Sequence, residues 1–346
     1  MRTLFVRNVC QALPMGLNLL LEEGIIEQSR NGPVVALPWP VTTVTSNPRE
    51  RVLFSAVRDA NPTFHIFESI WMLAGENNAF LLDTFVKDFS ARYAENGILH
   101  GAYGYRWRNH FGFDQLDFCI EKLSKTPDSR QCVIQMWDCM ERLMAEDWGA
   151  DDLRCDNKDR PCNTHIYLRI VNGKLNMLVS CRSNDMLWGA HGANAVHFSV
   201  LQEYLAARLA IPIGTMYQIS FNYHIYLKEF DKLRNKVSDF SDLCEDPYML
   251  GMIPLLMFDK PEYIDSDIRL FIYRFKQNEM GIFAGYKNLW FSDVLCPAVM
   301  AHWFFRHKEN NKALFTAGQI QAADWRKACV EWLERRTISH AIKHQP

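Results

Sequence analysis

The sequence predicts a single α+β domain, and three features indicate this fold class. Val171-Asn172-Gly173-Lys174 joins two runs with β-patterning, residues 164–170 and 174–181, and Asn-Gly is a strong signal for a tight hairpin turn. Apolar residues at helical spacing predict helices at residues 64–74 and 195–209. No linker-like tract or internal repeat divides the 346 residues, so the chain is treated as one domain from end to end.

The other elements follow from the same periodicities and from the Gly, Pro and Asn residues between them. Residues 1–27 have apolar positions near helical spacing and are predicted to be largely helical, and residues 29–33 end this helix. A further helix is expected within residues 221–230. The remaining predictions are helices at 79–86, 114–123 and 303–336, strands at 34–44, 131–137 and 217–224, and loops at 101–108 and 241–267.

Composition and charge exclude several classes of function. With 38 Lys and Arg against 40 Asp and Glu, the net charge is −2, which argues against binding a nucleic-acid polymer. No run approaches the ~18 apolar residues of a membrane span, and no signal peptide is expected. The ten cysteines include no CxxC pair, so neither a disulfide framework nor a metal site is expected, and Cys155 and Cys162 lack ligand partners at zinc spacing. We therefore expect a cytoplasmic protein, or one of the host cytoplasm if it is viral.

Cys162 is the first candidate for chemistry. It follows Pro161 at the mouth of the predicted hairpin instead of lying inside an apolar run. Arg160 and, across the hairpin, Arg182 can lower its pKa from about 8.5 toward the thiolate, the form that acts as a nucleophile. The alternative is a buried free thiol with no function.

The segment after the hairpin has the residue types of an anion site. An arginine fork beside a hydroxyl, Arg182-Ser183, suits a phosphate monoester, although a surface arginine in a serine turn has the same sequence. Asp185 and Asn194 each have an alternative as the cap of a following turn or helix. Gly189 lets the backbone come close to a ligand.

Seven segments in chain order, covering about residues 25–230, resemble the thymidylate synthase family, which includes the pyrimidine-nucleotide hydroxymethylases. Beyond about residue 235 the likeness fades, so residues 235–346 form a divergent C-terminal region. The segments are Arg30-Asn31-Gly32, residues 67–78, Tyr103-Gly104-Tyr105-Arg106-Trp107-Arg108, Pro127-Asp128-Ser129-Arg130, Pro161-Cys162-Asn163, Arg182-Ser183-Asn184-Asp185 with Gly189 and Asn194, and Asn222-Tyr223-His224-Ile225-Tyr226.

This resemblance implies a mixed β-sheet that forms a dimer interface and is flanked by helices. It also implies a pyrimidine nucleoside 5′-monophosphate as substrate and 5,10-methylenetetrahydrofolate as co-substrate, without a metal. By the resemblance, Cys162 adds to C6 of the pyrimidine, Glu68 organises water and proton transfer, and Tyr103 helps at C5. Glu68 also lies on an apolar helix face, where a buried acid is costly without a role or partner.

The resemblance assigns binding roles to ten further residues. Those for the phosphate are Arg30, Arg182, Ser183 and, from the neighbouring subunit of a homodimer, Arg130; those for the sugar are His224 and Tyr226; that for the base is Asn194; and those on the folate side are Asp185, Gly189 and Phe89. His224 and Tyr226 have the alternative of being core residues of a strand.

Departures from the family pattern favour hydroxymethylation over reductive methylation. Phe89 and Arg92 stand where synthases tend to have tryptophans beside the folate, and Asn163 replaces a histidine common after the cysteine. Residues 340–346 do not resemble the synthase tail that shields hydride transfer, so water is expected to reach the intermediate. The alternatives are a thymidylate synthase or dCMP methylase, and a catalytically inactive nucleotide-binding member.

Two further departures affect binding. Gln131 stands where a second phosphate-binding arginine is usual. The turn before Asn194 has one residue more than the family's, and if that residue lies elsewhere, Ala193 takes the place of the base-binding asparagine. An asparagine amide can pair with uracil or, when flipped, with cytosine. We expect dUMP, because asparagine goes with uracil in the family, with dCMP as the close alternative.

Overall fold

A mixed eight-stranded sheet forms the centre of the computed structural model, which describes residues 1–139, 152–153 and 159–343. Cys155 and residues 344–346, on which predictions were made, lie outside this part of the chain. The strands are β1 (Arg2–Val6), β2 (Ile25–Ser29), β3 (Gly32–Ala36), β4 (Val41–Thr45), β5 (Val133–Gln135), β6 (Asn163–Val171), β7 (Lys174–Asp185) and β8 (Ile213–Tyr226).

The sheet order is β1-β4-β8-β7-β6-β5, with the β2–β3 hairpin joined to β8 through β3. The β1–β4 and β7–β8 pairs are parallel and the other pairs are antiparallel, which makes the sheet mixed. Around it lie α1 (Val9–Glu23), α2 (Pro62–Leu73), α3 (Phe89–Tyr93), α4 (Tyr103–Arg108), α5 (Gln115–Lys125), α6 (Asn194–Arg208), α7 (Leu227–Arg234), α8 (Ile264–Lys276), α9 (Cys296–Arg306), α10 (Asn310–Gly318) and α11 (Ala323–Lys343).

The predicted hairpin is confirmed, and it positions the cysteine. Asn172 and Gly173 both have positive φ, 50° and 70°, as a tight two-residue turn requires. β6 and β7 then pair back to Asn163 opposite Cys181, and the Arg182 N–H donates to the Cys162 carbonyl oxygen at 2.9 Å. The strand pairing therefore holds Cys162 and Arg182 side by side.

The parallel β7–β8 pair brings two other motifs to the same edge of the sheet. Ser183 pairs with Asn222 and Asp185 with His224, near the carboxyl ends of both strands. Val34 of β3 pairs with Tyr226, so the β2–β3 turn lies beside this edge. Segments separated by up to about 190 positions in the chain thus meet at one place.

Helix α2 packs between the sheet side and the C-terminal helices. It begins with Pro62 in its first turn and with the Asn61 Oδ1 accepting the Phe64 N–H at 3.1 Å. Its completely buried Phe67 packs on Phe275 of α8, with ring centroids 4.3 Å apart. Residues that precede and follow Glu68 are therefore fixed by the core.

The face of the sheet that points away from helix α2 carries a row of apolar side chains, and this row runs across six strands. Residues in direct register point to the same face, and Phe5 and Tyr167 in this row are 74% and 44% exposed. The row consists of Phe5, Val44, Tyr217, Leu178, Tyr167 and Val133. Among the described residues, no helix is long and apolar enough to cross a membrane.

Two sequence predictions were wrong in part. Residues 1–27 contain one helix, α1, but strands flank it: the Asn8 Oδ1 caps the helix by accepting the Cys10 N–H at 3.0 Å, and the chain before Asn8 joins the sheet. Residues 101–108, predicted as a loop, include the helix α4. Gly104 lies against the backbone of Met72, where a Cβ would overlap the carbonyl oxygen, so this glycine serves close helix packing.

Several helices and loops have boundaries that differ from the predicted ones. The expected helix at 79–86 is a short 3-10 helix, Ala79–Thr84, and the helix expected at 303–336 is divided among α9, α10 and α11. The segment 241–267, predicted as a loop, contains the start of α8 at Ile264. The predicted helices at 64–74, 114–123 and 195–209 are confirmed as α2, α5 and α6.

Candidate active site

Cys162 stands immediately before β6, with its thiol half-buried. Arg182 braces the segment in front of it, because its Nε donates to the Pro161 carbonyl oxygen at 3.0 Å and its Nη2 to that of Arg160 at 3.3 Å. The same guanidinium lies 5.3 Å from the centre of the Trp137 ring. A side chain with several donors can hold the cysteine backbone and still offer N–H groups to an anion.

The expectation that arginines lower the pKa of Cys162 was wrong for the protein without ligand. Burial raises the pKa of this thiol above its ordinary value, and Asp159 and Asp185 add to the rise. Arg182 and Arg30 oppose it but do not outweigh desolvation. The cysteine is therefore a thiol at neutral pH until its surroundings change.

Glu68 projects from α2 and is 8% exposed. Its Oε2 lies 3.0 Å from the Nε2 of His197 on α6, but the two atoms are not aligned as a hydrogen bond, and neither ring nitrogen of His197 has a hydrogen-bond partner within the described chain. Sequence reasoning missed His197. The signal that could have found it is its place one helical turn after Asn194, on the same face of α6.

Tyr103 begins α4 and reaches the cysteine segment. Its ring stacks on Phe198 with centroids 5.8 Å apart, and its phenol group lies near the Asn163 backbone and the Cys162 thiol. Burial raises the pKa of Tyr103 well above its ordinary value, and the Cys162 thiolate would raise it further. The phenol thus remains protonated next to Cys162, as a hydrogen-bond donor needs to be.

Asp185 uses only one of its carboxylate oxygens. Its Oδ1 accepts the N–H groups of Leu187 and Trp188 at 2.8 and 2.7 Å, so the capping alternative is confirmed. The Oδ2 is buried and has no hydrogen-bond partner among the residues that the structure describes. Burial raises the pKa of Asp185, and nearby His224 opposes the rise. A cap with one oxygen left over is consistent with a ligand contact.

Asn194 belongs to a buried chain of amides. It has helical backbone angles and does not cap α6; its Nδ2 donates to the Asn184 Oδ1 at 3.2 Å, and the Asn184 Nδ2 donates to the Ser220 hydroxyl at 3.0 Å. A Cβ on Gly189 would lie 2.5 Å from that Asn184 oxygen, so glycine is needed there. Asn184 and Ser220 are contacts that the sequence analysis did not assign.

The turn before Asn194 has a wide, π-helical geometry from Met186 to Ala193, which His191 and Gly192 interrupt with non-helical angles. A π-helical turn takes up one more residue than an α-helical turn over the same length. The extra residue of this segment therefore has a place before Asn194, which supports Asn194 over Ala193 as the base-binding residue.

The remaining predicted residues form two groups. Ser183 and His224 line the sheet edge formed by β7 and β8. The Tyr226 hydroxyl accepts the Asn31 Nδ2–H at 3.3 Å, and Arg30, next to Asn31 in the turn, is exposed. The His224 Nδ1 is buried and unpartnered within the described chain. Phe89 packs on Phe64 and Tyr93, and Arg130 is exposed just before β5; their roles stay predictions.

The described ranges contain no group of three or more His, Cys, Asp or Glu side chains that could hold a metal ion. The polar groups that converge at this edge are a thiol, two carboxylates, amides and arginines. Such a set can bind an anionic, hydrogen-bonding ring compound and attack it covalently.

A family model for thymidylate synthase matches residues 20–243, well over half of the chain. The chain belongs to the thymidylate synthase family. This membership confirms the resemblance and the α+β fold class, and it makes the protein a one-carbon transferase by family. Methylenetetrahydrofolate is the co-substrate of the thymidylate synthase family.

Relatives within the thymidylate synthase family carry a more specific name. A deoxyuridylate hydroxymethyltransferase of Pseudomonas phage M6 is 41% identical over 355 residues, which cover 97% of this chain and 95% of the relative. Proteins of the same name from Bacillus phage SP01 and Delftia phage PhiW-14 are 34% and 31% identical over 62% and 66% of this chain, and 56% and 63% of their own length. The M6 protein therefore also shares the region after residue 243, which the family model leaves unmatched.

Proposed function

We propose that this protein transfers a one-carbon unit from methylenetetrahydrofolate to C5 of dUMP and completes it with water, which gives 5-hydroxymethyl-dUMP. The observation that carries the proposal is the full-length likeness, at 41% identity, to a phage deoxyuridylate hydroxymethyltransferase. The site supports it, because Tyr103 lies next to Cys162, and both Glu68, through His197, and Asn194 lie at helix α6. The product would serve DNA base modification in the host cytoplasm.

Cys162 starts the reaction by adding its sulfur to C6 of the pyrimidine, which makes C5 nucleophilic. The folate supplies the carbon at the oxidation level of formaldehyde. Tyr103, next to Cys162, assists removal of the C5 proton. Glu68, buried on α2, accepts and returns protons at the base. Loss of the C5 proton and of tetrahydrofolate, whose bond to the transferred carbon breaks, would leave an exocyclic methylene on the nucleotide, and water would add to it.

Arg182, Arg30 and Ser183 bind the 5′-phosphate. Arg182 and Arg30 are exposed cations close enough to act on the Cys162 thiol, so a phosphate placed between them would lie near the cysteine. His224 and Tyr226, two positions apart and therefore on the same face of β8, bind the sugar hydroxyl. The unpartnered His224 Nδ1 supports a ligand contact at this position.

Asn194 binds the pyrimidine edge. Because one of its N–H bonds is used by Asn184, its oxygen and its second N–H are left for the base. A uracil ring offers an N–H and a carbonyl oxygen that match this pair. We favour dUMP over dCMP because the relatives are named for deoxyuridylate.

Asp185, Gly189 and Phe89 form the folate side. The unpartnered Oδ2 of Asp185 fits the N–H groups of a pterin, which is the observation in favour of this assignment. Because its pKa is raised, the Asp185 carboxyl is protonated more readily than that of an exposed aspartate, and a protonated carboxyl can donate a hydrogen bond.

The exposed apolar row on the sheet supports a homodimer. A face of this kind, crossing six strands with Phe5 at 74% exposure and Phe221 of the neighbouring row at 70%, is typical of a surface covered by another chain. A second copy of this chain fits the family resemblance, which has Arg130, exposed just before the edge strand β5, bind the phosphate of the partner.

Mixed dimers test this arrangement. Cys162→Ser and Arg130→Ala subunits, each inactive or weak alone, are denatured together and refolded. One site of each heterodimer then has both an intact Cys162 and an Arg130 from its partner, so activity is expected to return. If activity does not return while heterodimers form, Arg130 is not donated across the interface.

Product analysis tests the reaction itself. The protein is incubated with methylenetetrahydrofolate and, separately, dUMP, dCMP, UMP and CMP, and the products are identified by mass spectrometry. A gain of one CH₂O unit on dUMP, with tetrahydrofolate released, is expected. A gain of one CH₂ unit with dihydrofolate would indicate a thymidylate synthase or dCMP methylase, and no product on any nucleotide would indicate an inactive member.

A further inference from the structure

A buried histidine, neither of whose ring nitrogens has a hydrogen-bond partner in the described part of the chain, stands beside the carboxylate of Glu68. His197 is 3% exposed, and its Nε2 approaches Glu68 Oε2 to 3.0 Å without the alignment of a hydrogen bond. Within the described residues, neither its Nδ1 nor its Nε2 has a hydrogen-bond partner. Buried polar atoms are nearly always paired, because desolvation is costly. Among the described residues Nδ1 has no partner and Nε2 has only the unaligned contact with Glu68, which leaves both nitrogens able to bind a further polar group.

The surroundings of His197 place it at the reacting base. It follows Asn194 by three positions on α6, which puts both side chains on one face of the helix. Phe198, the next residue, stacks on Tyr103. The neighbouring His65, with its ring centroid 6.4 Å away, has its pKa lowered well below the ordinary value by burial and by Arg58, so it remains neutral and does not compete for Glu68.

We propose that His197 is a positioning residue which, together with Glu68, holds the water that attacks the exocyclic methylene, and so directs the reaction to hydroxymethylation. This inference rests on the proposed function and adds a determinant of its outcome. A water bound between an imidazole nitrogen and a carboxylate has its proton directed to the carboxylate and a lone pair left free.

Addition of this water to the methylene regenerates the enzyme. The water oxygen bonds to the methylene carbon, the electron pair of the carbon–carbon double bond moves through C5 and C4 to O4, and the released proton passes to the Glu68 carboxylate. The C4 carbonyl then re-forms, the bond between C6 and the Cys162 sulfur breaks, and the double bond between C5 and C6 is restored. The sulfur leaves as a thiolate.

The test measures how the methylene intermediate divides between water and an added thiol. His197→Ala, His197→Gln and the wild type are given dUMP labelled with tritium at C5, methylenetetrahydrofolate and 2-mercaptoethanol. Tritium release counts every turnover that passes C5 deprotonation, and mass spectrometry gives the fraction that ends as 5-hydroxymethyl-dUMP and not as the thioether. For His197→Ala this fraction is expected to fall about five-fold or more, while tritium release falls less, and glutamine is expected to restore part of it.

His191→Gln is the matched control, because His191 is equally buried in the preceding turn but hydrogen-bonds the Tyr223 hydroxyl at 2.8 Å and not Glu68. It is expected to leave the fraction unchanged. The inference is overturned if His197→Ala divides the intermediate as the wild type does, or if His191→Gln shifts it equally. Should the alanine variant fail to fold, a wild-type fraction in His197→Gln overturns it. A wild type that makes no hydroxymethyl product would instead overturn the proposed function.

Discussion

Two aspartates, the half-buried Asp185 of the candidate active site and the buried Asp267 among the C-terminal helices, have the same side chain and opposite surroundings. Asp267 on α8 accepts the N–H groups of Lys287 and Asn288 at 3.0 and 2.8 Å and the Asn288 Nδ2–H at 2.8 Å, so both of its oxygens are used. Asp185 at the end of β7 has two backbone N–H groups on one oxygen and, within the described chain, none on the other. The first carboxylate is saturated by the fold, and the second keeps one oxygen without a partner in the described chain.

The same contrast separates the two regions in which they lie. The C-terminal helices support α2: Phe275 packs on Phe67, and Arg336 of α11 pairs with Asp59 just ahead of α2 at 2.9 Å. The sheet edge presents a buried ring nitrogen, the His224 Nδ1, that has no hydrogen-bond partner within the described chain. The C-terminal helices thus complete the packing around the helix that carries Glu68, whereas the sheet edge keeps polar atoms unused.

The largest expected effect comes from the nucleophile. Cys162→Ser is expected to reduce turnover by about 10⁴-fold or more, because serine has no comparable nucleophilicity without a base beside it. The melting temperature should change little, since the thiol is only half-buried. Steady-state assays and calorimetry check both, and a variant with substantial turnover would remove Cys162 from the mechanism.

The paired substitutions Asp185→Asn and Asp267→Asn test the comparison directly. Asp185→Asn is expected to lower kcat/KM about 10²-fold or more, and Asp267→Asn is expected to destabilise by about 2 kcal/mol, because an amide group would then face the donors of Lys287 and Asn288. Kinetics and denaturant unfolding separate the two effects. If Asp185→Asn unfolds the protein or Asp267→Asn selectively stops turnover, the contrast is wrong.

The pH dependence of stability gives a second test of Asp185→Asn. Because the folded-state pKa of Asp185 is raised, its contribution to stability is fully present below the unfolded pKa of about 3.9 and is lost as the pH rises through the folded value. At pH 7, Asp185→Asn is therefore expected to be slightly more stable than the wild type, and this advantage should vanish near pH 4. Thermal melts from pH 4 to 7 measure it, and an advantage that grows toward low pH would contradict the sign.

A moderate effect is expected from the amide chain behind the base. Asn184→Leu removes the acceptor that orients the Asn194 amide, so the ratio of kcat/KM for dUMP to that for dCMP should fall by about ten-fold. Ser220→Ala, one step farther from the base, is the graded control and should lower the ratio less. An unchanged ratio in Asn184→Leu would show that other contacts orient Asn194.

The smallest effect concerns the thiol in the free protein. Burial raises the pKa of Cys162, so its rate of alkylation by iodoacetamide should rise with a midpoint above about pH 8.5. Arg182→Met should move the midpoint higher, because the guanidinium favours the thiolate. Peptide mass spectrometry of alkylated protein gives the rate at Cys162 alone, and a midpoint below pH 8 would contradict the effect of burial.

The sequence by itself determined the elements that local patterns specify. The Asn172-Gly173 turn fixes the hairpin and therefore the place of Cys162 beside Arg182, since a two-residue turn allows one register. Strong apolar periodicity predicted α2 and α6 correctly. The order of the motifs was enough to identify the family and the α+β fold.

Only the tertiary structure decided what depends on contacts between distant segments. The pKa of Cys162 is raised because burial outweighs Arg182, and no local pattern reports burial. The strand β1 exists because β4 pairs with it, and Gly104 lies in a helix because Met72 packs against it. The meeting of His197 with Glu68 joins two helices about 130 residues apart, and such a meeting follows from the packing of the whole chain.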